Sequence, residues 1–436
     1  MNANRPAADS QALQAGYAKI DITPDEPVYL CGYNLREAPA SKVAGPLYAR
    51  ALAFDDGRRK FLVMMADMIG VDGACLAAQI AQATGLQPGD IFAGDVHNHA
   101  APISRLAGKP GQNNDHTRWI KRFPQAVVEV ARQAVADLQP VRLGVGKGQS
   151  RIGINRRKPS AGGESFTTFD ENHASQSVGR WKTDQPAPVR EFEGVIRLGP
   201  NAAGPIDPEV TVLRLDRPDG SPLAVLANYG CHGTCLGGRN DAICGDWIGH
   251  ALGLLEKQLG GGAMFLQGAS GDINPRVVGG LDGQVDSLET VARLGEEFAR
   301  EASRVWALVV PQPVTSGIRS VSKTVLLPRC YRELMADFHQ TAIEAPTTAV
   351  RIGDCTWINF PGEMFHQIGL ELKAARATAA LLLATCTNGG IGYFPTRQAY
   401  SEGGYEPAIT HLDPAAPQHY LHQVLPMLAE LNVPTA

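Results

Sequence analysis

The residues with the clearest chemical potential lie in the segment from Asp95 to His99, which contains two histidines, His97 and His99. The segment ends the run Asp90 to Val96, whose apolar residues predict a strand. Residues two apart in a strand point to the same side, about 6–7 Å apart along the backbone, so both imidazoles could reach one small volume. Such a pair suits a metal ligand beside a proton carrier. The alternative is two polar residues on a sheet edge.

Two further donors follow predicted strands. His232 lies in a glycine-rich turn, and Glu363 lies between a strand and a helix. Each also has an ordinary structural explanation: a hydrogen-bonded histidine, and an acid that complements a helix dipole. With His97 they form the N, N and O donor set of catalytic zinc, which leaves a position for water whose pKa the metal lowers towards about 7. Spacing alone does not show that the three converge.

A loop of small residues, Gly268 to Asp272, follows the buried-strand pattern Phe265 to Gln267. Backbone N–H groups of such a loop could face a substrate oxygen. We therefore take Gly268, Ser270 and Asp272 as candidate substrate-binding residues. Ser270 lacks the flanking glycines of a serine-hydrolase nucleophile turn, so we do not assign it as a nucleophile.

The eight cysteines are expected to be free thiols, because a chain of 436 residues does not need disulfides for stability. Cys231, Cys235 and Cys244 have the residue types of a structural zinc cage, although their spacing is irregular and no C-x-x-C pair is present. A non-catalytic zinc-binding protein built on this cage is the alternative from a different functional class.

The order of the motifs resembles the neutral/alkaline non-lysosomal ceramidases, zinc-dependent amidases that hydrolyse the N-acyl bond of ceramide. The similar segments are, in order, Gly16 to Pro24, Cys31-Gly32-Tyr33, Arg50-Ala51, Ala66-Asp67, His97 to Pro102, Asn155-Arg156, Gly392 to Thr396 and Tyr405-Glu406. The resemblance implies zinc (Zn²⁺) bound by four ligands: His97, His232, Glu363 and Tyr393. It implies that His99 is the proton carrier and that Arg156 and Tyr405 orient the substrate and hold its developing oxyanion.

Two departures from the family pattern concern the substrate. Gly268 stands where the family has a site serine in Gln-Ser-Asn-Ala-Gly-Asp, and the chain stops soon after its last predicted helix, without the family's immunoglobulin-like C-terminal domain. We therefore expect a small soluble N-acyl compound, lactone or sugar-derived ester as the substrate at least as readily as ceramide.

The elements that must position these residues alternate strands, hairpins and helices. The clearest are the hairpins Ala49 to Asp55 with Phe61 to Ala66 and Val210 to Leu215 with Leu223 to Tyr229, and the helices Gly73 to Thr84, Gln125 to Leu138 and Val291 to Val305. This mixture predicts an α/β layered fold with mixed sheets. The hairpins argue against a barrel-type amidohydrolase or lactonase, the enzyme alternative. Asp246 is placed as the N-cap of a further helix.

Composition limits the partners. A net charge of −4 with 19% charged residues disfavours a nucleic-acid partner. We see no leader sequence at the N-terminus and no apolar run near the 18–20 residues of a membrane span, so we expect a cytoplasmic protein; its oligomeric state is open.

Motifs from Gly16 to Tyr405 that serve one site predict a single catalytic domain over residues 1–436, with a flexible segment 1–15 and a long loop or lid at 157–189.

Overall fold

The computed structural model describes residues 12–33, 36–104, 114–160, 195–280, 287–330 and 342–431. Two predicted irregular segments are partly outside these ranges. The first strand already begins at Gln14 within the segment predicted to be flexible, and residues 157–160 belong to a strand. The rest of the predicted lid, residues 161–189, lies outside the described residues, as do residues 1–11.

The strands of the described residues are, in chain order, β1 (Gln14–Asp21), β2 (Lys42–Val43), β3 (Tyr48–Asp55), β4 (Lys60–Ala66), β5 (Ile91–Asp95), β6 (Gln139–Pro140), β7 (Arg142–Gln149), β8 (Gly153–Ser160), β9 (Val195–Asn201), β10 (Glu209–Asp216), β11 (Pro222–Tyr229), β12 (Ala242–Ile243), β13 (Gly262–Gln267), β14 (Ile273–Pro275), β15 (Gln312–Pro313), β16 (Arg319–Pro328), β17 (Ala342–Ile352), β18 (Cys355–Phe360), β19 (Glu363–Met364), β20 (Ala380–Thr385) and β21 (Tyr393–Phe394). The helices are α1 (Gly73–Thr84), α2 (Arg118–Ala136), α3 (Asp246–Leu259), α4 (Leu288–Leu308), α5 (His366–Ala374), α6 (Arg397–Glu402), α7 (Tyr405–Ile409) and α8 (Ala416–Glu430).

Two mixed sheets form the centre of the fold. The first has the strand order β5-β4-β3-β1-β6 and the second has the order β13-β11-β10-β7-β15. Helices α1 and α2 pack on the first sheet, and α3 and α4 pack on the second. A third sheet, β14-β8-β9, and a fourth, β16-β17-β18-β20 with α5 and α8, complete the layers. The predicted layered α/β fold is confirmed, and the barrel alternative is wrong, because the sheets of the described residues are open.

The predicted hairpins are confirmed, because β3 pairs with β4 and β10 pairs with β11 in antiparallel register. Helix α1 has its predicted bounds. Helix α2 begins at Arg118, seven residues before the predicted start, because the side chain of Thr117 accepts the N–H of Ile120 and caps the helix. It continues through Pro124.

The main core lies between the two central sheets. Phe54 of β3 and Phe61 of β4 turn towards it and meet Trp357 of β18, at ring-centroid distances of 5.9 and 5.7 Å. The fourth sheet therefore packs against the end of the two-sheet core. No helix of the described residues is both long enough and apolar enough to span a bilayer.

The site lies where parallel strands end. Strand β5 runs parallel to β4, β13 to β11, and β20 to β18. The segments that follow β5, β11 and β18 contain His97, His232 and Glu363. Ligands of open α/β sheets commonly bind outside the carboxyl ends of the strands. The topology therefore brings residues that are far apart in sequence to one edge of the layers.

A buried ion pair supports this edge. Arg50 Nη1 lies 2.6 Å from Asp67 Oδ1, and both side chains are buried. The carbonyl of Asp67 accepts the side-chain N–H of Asn98 at 3.1 Å, which ties the pair to the segment between the two histidines.

Removal of this pair's acid should be costly. We expect Asp67→Asn to lower the free energy of unfolding by about 3–5 kcal/mol, because Arg50 keeps a buried charge with only Glu256, at 3.9 Å, to offset it. The control is Asp241→Asn, which breaks the exposed pair with Lys42 and should cost at most about 1 kcal/mol. Urea unfolding measures both, and equal losses would contradict the assignment.

Candidate active site

The two histidines of the opening motif lie in a turn after β5, not in the strand. His97 has φ +62°, a left-handed conformation that is rare outside glycine. The strand geometry predicted for the pair is therefore wrong, but the rings still meet, with centroids 5.1 Å apart. Asp95 Oδ1 accepts the backbone N–H of His97 at 3.0 Å, and Asn98 donates its side-chain N–H to the carbonyl of Cys244 at 2.7 Å. These bonds fix the turn.

His232 reaches the same place from the turn after β11. The two turns are bonded to each other, since the N–H of His99 donates to the carbonyl of Gly233 at 2.9 Å and the N–H of Gly233 donates to that of His97 at 3.2 Å. His232 Nδ1 lies 2.9 Å from the carbonyl of Ile273, so that nitrogen carries the proton and Nε2 keeps a lone pair. Burial, together with the charge of Arg156, lowers the pKa of His232 to about 4.

Asp246 supports the His232 turn and is not the N-cap residue of its helix. The N-cap of α3 is Gly245, and Asp246 is the first helical residue, with φ +50°. Its carboxylate accepts the backbone N–H groups of Cys235 and Leu236 at 3.2 and 3.1 Å. The N-cap prediction is wrong, because Gly245 occupies that position. The carboxylate of Asp246 still accepts one N–H of its own helix, that of Trp247 at 2.8 Å, in addition to those of the distant turn.

Glu363 lies in β19, between strand β18 and helix α5, as predicted, and not in the first helical turn that the alternative helix-dipole explanation requires. Its Oε2 is 3.2 Å from His97 Nε2 and 3.1 Å from His232 Nε2. Burial by itself would raise the pKa of this carboxyl, but the neighbouring positive charge of His97 holds it well below its usual range. Strand β19 pairs with β21, which sets Glu363 beside Tyr393.

These donors fit a zinc ion. In a tetrahedral site with bonds of about 2.0–2.1 Å, neighbouring ligand atoms are roughly 3.3 Å apart. The contacts of 3.1 and 3.2 Å made by Glu363 match that separation. Ring nitrogens of His97, His99 and His232 also lie within 4.8 Å of one another. The predicted donors His97, His232 and Glu363 are thus brought together, whereas a bond from Tyr393 to the metal stays a prediction.

His99 is buried without a hydrogen-bond partner at either ring nitrogen. Its carbonyl accepts Arg36 Nη1 at 2.6 Å, and its ring meets Tyr33 edge-on with centroids 5.1 Å apart. Burial, and then the neighbouring His97 and His232, lowers its pKa well below the usual value of 6.5. The imidazole is therefore neutral at pH 7 and able to accept a proton.

Arg156 lies in β8, and one nitrogen of its guanidinium group has no hydrogen-bond partner. Its Nε donates to Glu406 Oε1 at 2.8 Å, and its Nη1 donates to Asn274 Oδ1 at 3.3 Å and lies 3.1 Å from His232 Nε2. Its buried Nη2 has no hydrogen-bond partner. An unpartnered buried donor is costly, so this group is poised for an acceptor on a ligand.

Glu406 is a site residue that sequence analysis missed. It is buried, and its second oxygen accepts Arg157 Nη1 at 2.8 Å. One carboxylate in α7 therefore fixes two arginines of β8. In the motif Tyr405-Glu406 the family resemblance concerns the tyrosine. No local pattern marks the neighbouring acid as the partner of Arg156.

Tyr393 and Tyr405 lie side by side, with ring centroids 5.7 Å apart, and the guanidinium of Arg156 lies 5.1 Å from the ring of Tyr393. Burial raises the pKa of Tyr405 to about 12 and that of Tyr393 well above its usual value. Without a bound metal both phenols stay protonated at pH 7, so Tyr405 can donate a hydrogen bond.

The predicted residues open on a cavity of about 360 Å³. Its polar lining includes His97, His99, Arg156, Glu363, Tyr393 and Tyr405, together with Thr234, Asn274 and His411. His232 is fully buried behind this lining. Sequence analysis passed over Thr234, whose buried Oγ1 has no hydrogen-bond partner.

The predicted substrate loop lies outside the cavity lining. The N–H of Gly268 donates to the carbonyl of Tyr229 at 2.9 Å, and Asp272 Oδ2 lies 2.6 Å from His366 Nδ1. Ser270 is fully buried. Gly268 and Asp272 are thus engaged in internal hydrogen bonds, whereas the buried Oγ of Ser270 has no hydrogen-bond partner. A role in substrate binding stays a prediction for these three residues, none of which lines the cavity.

All eight cysteines are free thiols, as predicted. Among the described residues, three ligand atoms come within 4.8 Å of one another in two groups: His97, His99 and His232, and Asp95, His97 and Cys386. The predicted cage is in neither group, and Cys231, Cys235 and Cys244 are buried core residues, so the described structure gives no support to that alternative.

Comparison with known proteins agrees with this geometry. Residues 13–292 match the family model described as neutral/alkaline non-lysosomal ceramidase, N-terminal. A segment of 83 residues is 34% identical to neutral ceramidase B of Dictyostelium discoideum, and it spans 17% of this chain but only 12% of that protein.

Two solved structures share the fold. Neutral ceramidase from Pseudomonas aeruginosa superposes with a TM-score of 0.73 at 17% identity, over 98% of this chain and 76% of that chain. A ceramidase complexed with C2 gives a TM-score of 0.72 at 17% identity, over 97% of this chain and 75% of that chain.

The position of His99 should depend on Gly32. This glycine has φ +93°, and a Cβ on it would lie 2.3 Å from His99 Nδ1. We expect Gly32→Ala to displace the ring. Gly220→Ala is the control, since Gly220 has φ +86° with open space around it.

Both substitutions should cost about 1–2 kcal/mol in urea unfolding, because alanine disfavours positive φ. Only Gly32→Ala should shift the His99 ring signals in histidine-selective NMR spectra. Unshifted signals in that variant would show that the ring does not depend on the close approach.

Proposed function

The chain belongs to the neutral/alkaline non-lysosomal ceramidase family, and from this premise we propose that it is a zinc-dependent hydrolase of N-acyl amide bonds. The observation that carries the proposal is the contact of Glu363 Oε2 with His97 Nε2 at 3.2 Å and with His232 Nε2 at 3.1 Å, beside a cavity of about 360 Å³. Nitrogen and carboxylate donors at that separation suit a catalytic zinc with an open position.

In this proposal His97, His232 and Glu363 hold the metal, with Tyr393 as the fourth ligand. Bound zinc lowers the pKa of a water ligand towards about 7 and polarises a carbonyl. The chain prepares His232 for this role, because its ring proton lies on Nδ1, facing the carbonyl of Ile273, and Nε2 keeps a lone pair.

His99 moves the proton. Its ring lies in the cavity wall, neutral and without a hydrogen-bond partner, so it can take a proton as the attacking oxygen forms its bond to the acyl carbon. It then returns that proton to the departing nitrogen, which leaves as an amine. A group of this kind contributes roughly 10²–10⁴-fold to the rate.

Arg156 and Tyr405 act on the carbonyl oxygen. Arg156 and Tyr405 both line the cavity, and Nη2 of Arg156 is buried without a hydrogen-bond partner. Donors already fixed in a water-poor site stabilise the charge that develops on that oxygen without reorganising. Glu406 contributes by fixing the arginine, with Nε to Oε1 at 2.8 Å.

The substrate is an N-acyl amide, of the ceramide class or smaller. The cavity volume lies near the lower end of the roughly 300–1,000 Å³ typical of small-molecule sites, which suits the amide and its polar neighbours. Gly268 in place of the family serine gives little reason to exclude ceramide, because position 268 lies outside the cavity lining.

The division of roles between the two histidines can be tested by metal analysis. We expect one zinc per chain in the native protein, loss of zinc and activity in His97→Ala, and retained zinc with kcat lowered about 10²–10⁴-fold in His99→Ala. Plasma mass spectrometry measures the zinc. Loss of zinc from both variants would make His99 a ligand, and a native protein without zinc would overturn the proposal.

The bond and substrate class can be tested with a panel of N-acylsphingosines of short and long chain, small N-acyl amines, aryl esters and lactones. We expect release of free amine, with kcat/KM for short acyl chains at least equal to that for long ones, because the small cavity holds chiefly the amide and its neighbours. Hydrolysis of esters or lactones without any amide would overturn the amide assignment. Turnover of long-chain ceramide alone would contradict the expected preference.

A further inference from the structure

The ring of His97 needs a partner at its second nitrogen. Nε2 faces Glu363 at 3.2 Å, and Nδ1 points away from the cavity centre towards Cys386 and Asp95. A histidine that binds a metal usually donates its other ring N–H to a carboxylate or carbonyl, which fixes the ring and its tautomer. For His232 that partner is the carbonyl of Ile273. His97 has no carbonyl in the same role.

The partner of His97 is sulfur. Nδ1 lies 3.6 Å from Cys386 Sγ, within hydrogen-bond range for sulfur, and 3.8 Å from Asp95 Oδ1, beyond the range for oxygen. Both oxygens of Asp95 are already used, one by the N–H of His97 at 3.0 Å and one by the N–H of Val71 at 3.0 Å. Of the two, only the thiol lies within hydrogen-bond range of the ring nitrogen.

Cys386 is held rigidly for this contact. It follows β20 with φ +56°, its N–H donates to the carbonyl of Gly362 at 3.2 Å, and its own carbonyl accepts the N–H of Asp95 at 3.3 Å. Its Sγ lies 3.8 Å from the carbonyl of Gly362, which can accept the thiol proton. Gly362 precedes Glu363, so one cysteine contacts the segments that supply two proposed ligands.

We propose that Cys386 is a positioning residue for the metal site: its sulfur accepts the Nδ1 proton of His97 and directs the Nε2 lone pair towards the metal. The thiol proton goes in turn to the carbonyl of Gly362. The effect of Cys386 on the metal rests on the proposed function. The hydrogen bond between His97 and Cys386 does not, because it joins two residues of the chain and needs no metal. The motif around His97 gives no sign of it, because Cys386 is 289 positions away.

The test compares Cys386→Ala, which removes the acceptor, with Cys386→Ser, which restores one. Zinc affinity of the full chain is measured by competition with a chromophoric chelator. We expect Cys386→Ala to weaken zinc binding about 10–100-fold, the usual effect of losing such a partner, and Cys386→Ser to stay close to the unchanged protein. Cys355→Ala is the matched control, since Cys355 is a buried thiol of the core outside the cavity lining.

A second measurement does not need zinc or substrate. In the metal-free protein, at a pH high enough for His97 to be neutral, ¹⁵N spectra of the histidine rings should show His97 protonated at Nδ1 in the unchanged and Cys386→Ser chains, and a mixture of tautomers in Cys386→Ala. If Cys386→Ala does not fold, the serine variant and the unchanged chain still decide the question.

Three results would overturn the inference. The first is unchanged zinc affinity and an unchanged His97 tautomer in Cys386→Ala, and the second is an equal loss of zinc affinity in the serine and alanine variants. The third is two zinc ions per unchanged chain, one of which is missing from both variants. The last result would mean that Asp95, His97 and Cys386 hold a metal themselves. Absence of zinc from the unchanged protein would overturn the proposed function, while the tautomer comparison would still decide the role of Cys386.

Discussion

The structure depends on holding one carboxylate, that of Glu363, between two buried imidazoles. Removing such groups from water is costly unless they compensate one another or share a metal. The contacts of 3.1 and 3.2 Å to His232 and His97 meet this requirement only if three segments, remote in sequence, are placed to within a few tenths of an ångström. The parallel strand pairs of the sheets give that placement, because their carboxyl ends lie along one edge.

Around this centre, the backbone is fixed by buried polar side chains more than by regular structure. The turns at His97 and His232 lie outside the named strands. Their backbone groups pair with each other, with the side-chain oxygen of Asn98, which accepts the N–H of Ala100, and with Asp246. Glu406 does the same for the arginine of the site. Irregular backbone buried in this way must have each polar group paired, so these side chains are as much part of the site as the donors they support.

Close packing between the turns of the site explains part of the high glycine content, 47 of 436 residues. A Cβ on Gly271 would lie 2.4 Å from the carbonyl of Glu363, and one on Gly233 would lie 3.1 Å from the Cα of Asn98. Turns that carry ligands approach one another this closely only where a side chain is absent. The same packing accounts for Gly268, where a Cβ would meet the backbone of Gly230 at 2.9 Å.

Local sequence determined the hairpins, helix α1, the layered fold class and the donor types at the strand ends, because periodicity, turn residues and side-chain chemistry are properties of short segments. Only the tertiary structure decided that His97, His232 and Glu363 meet, that the loop at Gly268 lies behind the cavity, and that Glu406 and Cys386 serve the site. These are contacts between residues separated by 100 positions or more, or exclusions set by packing, and no local pattern encodes them.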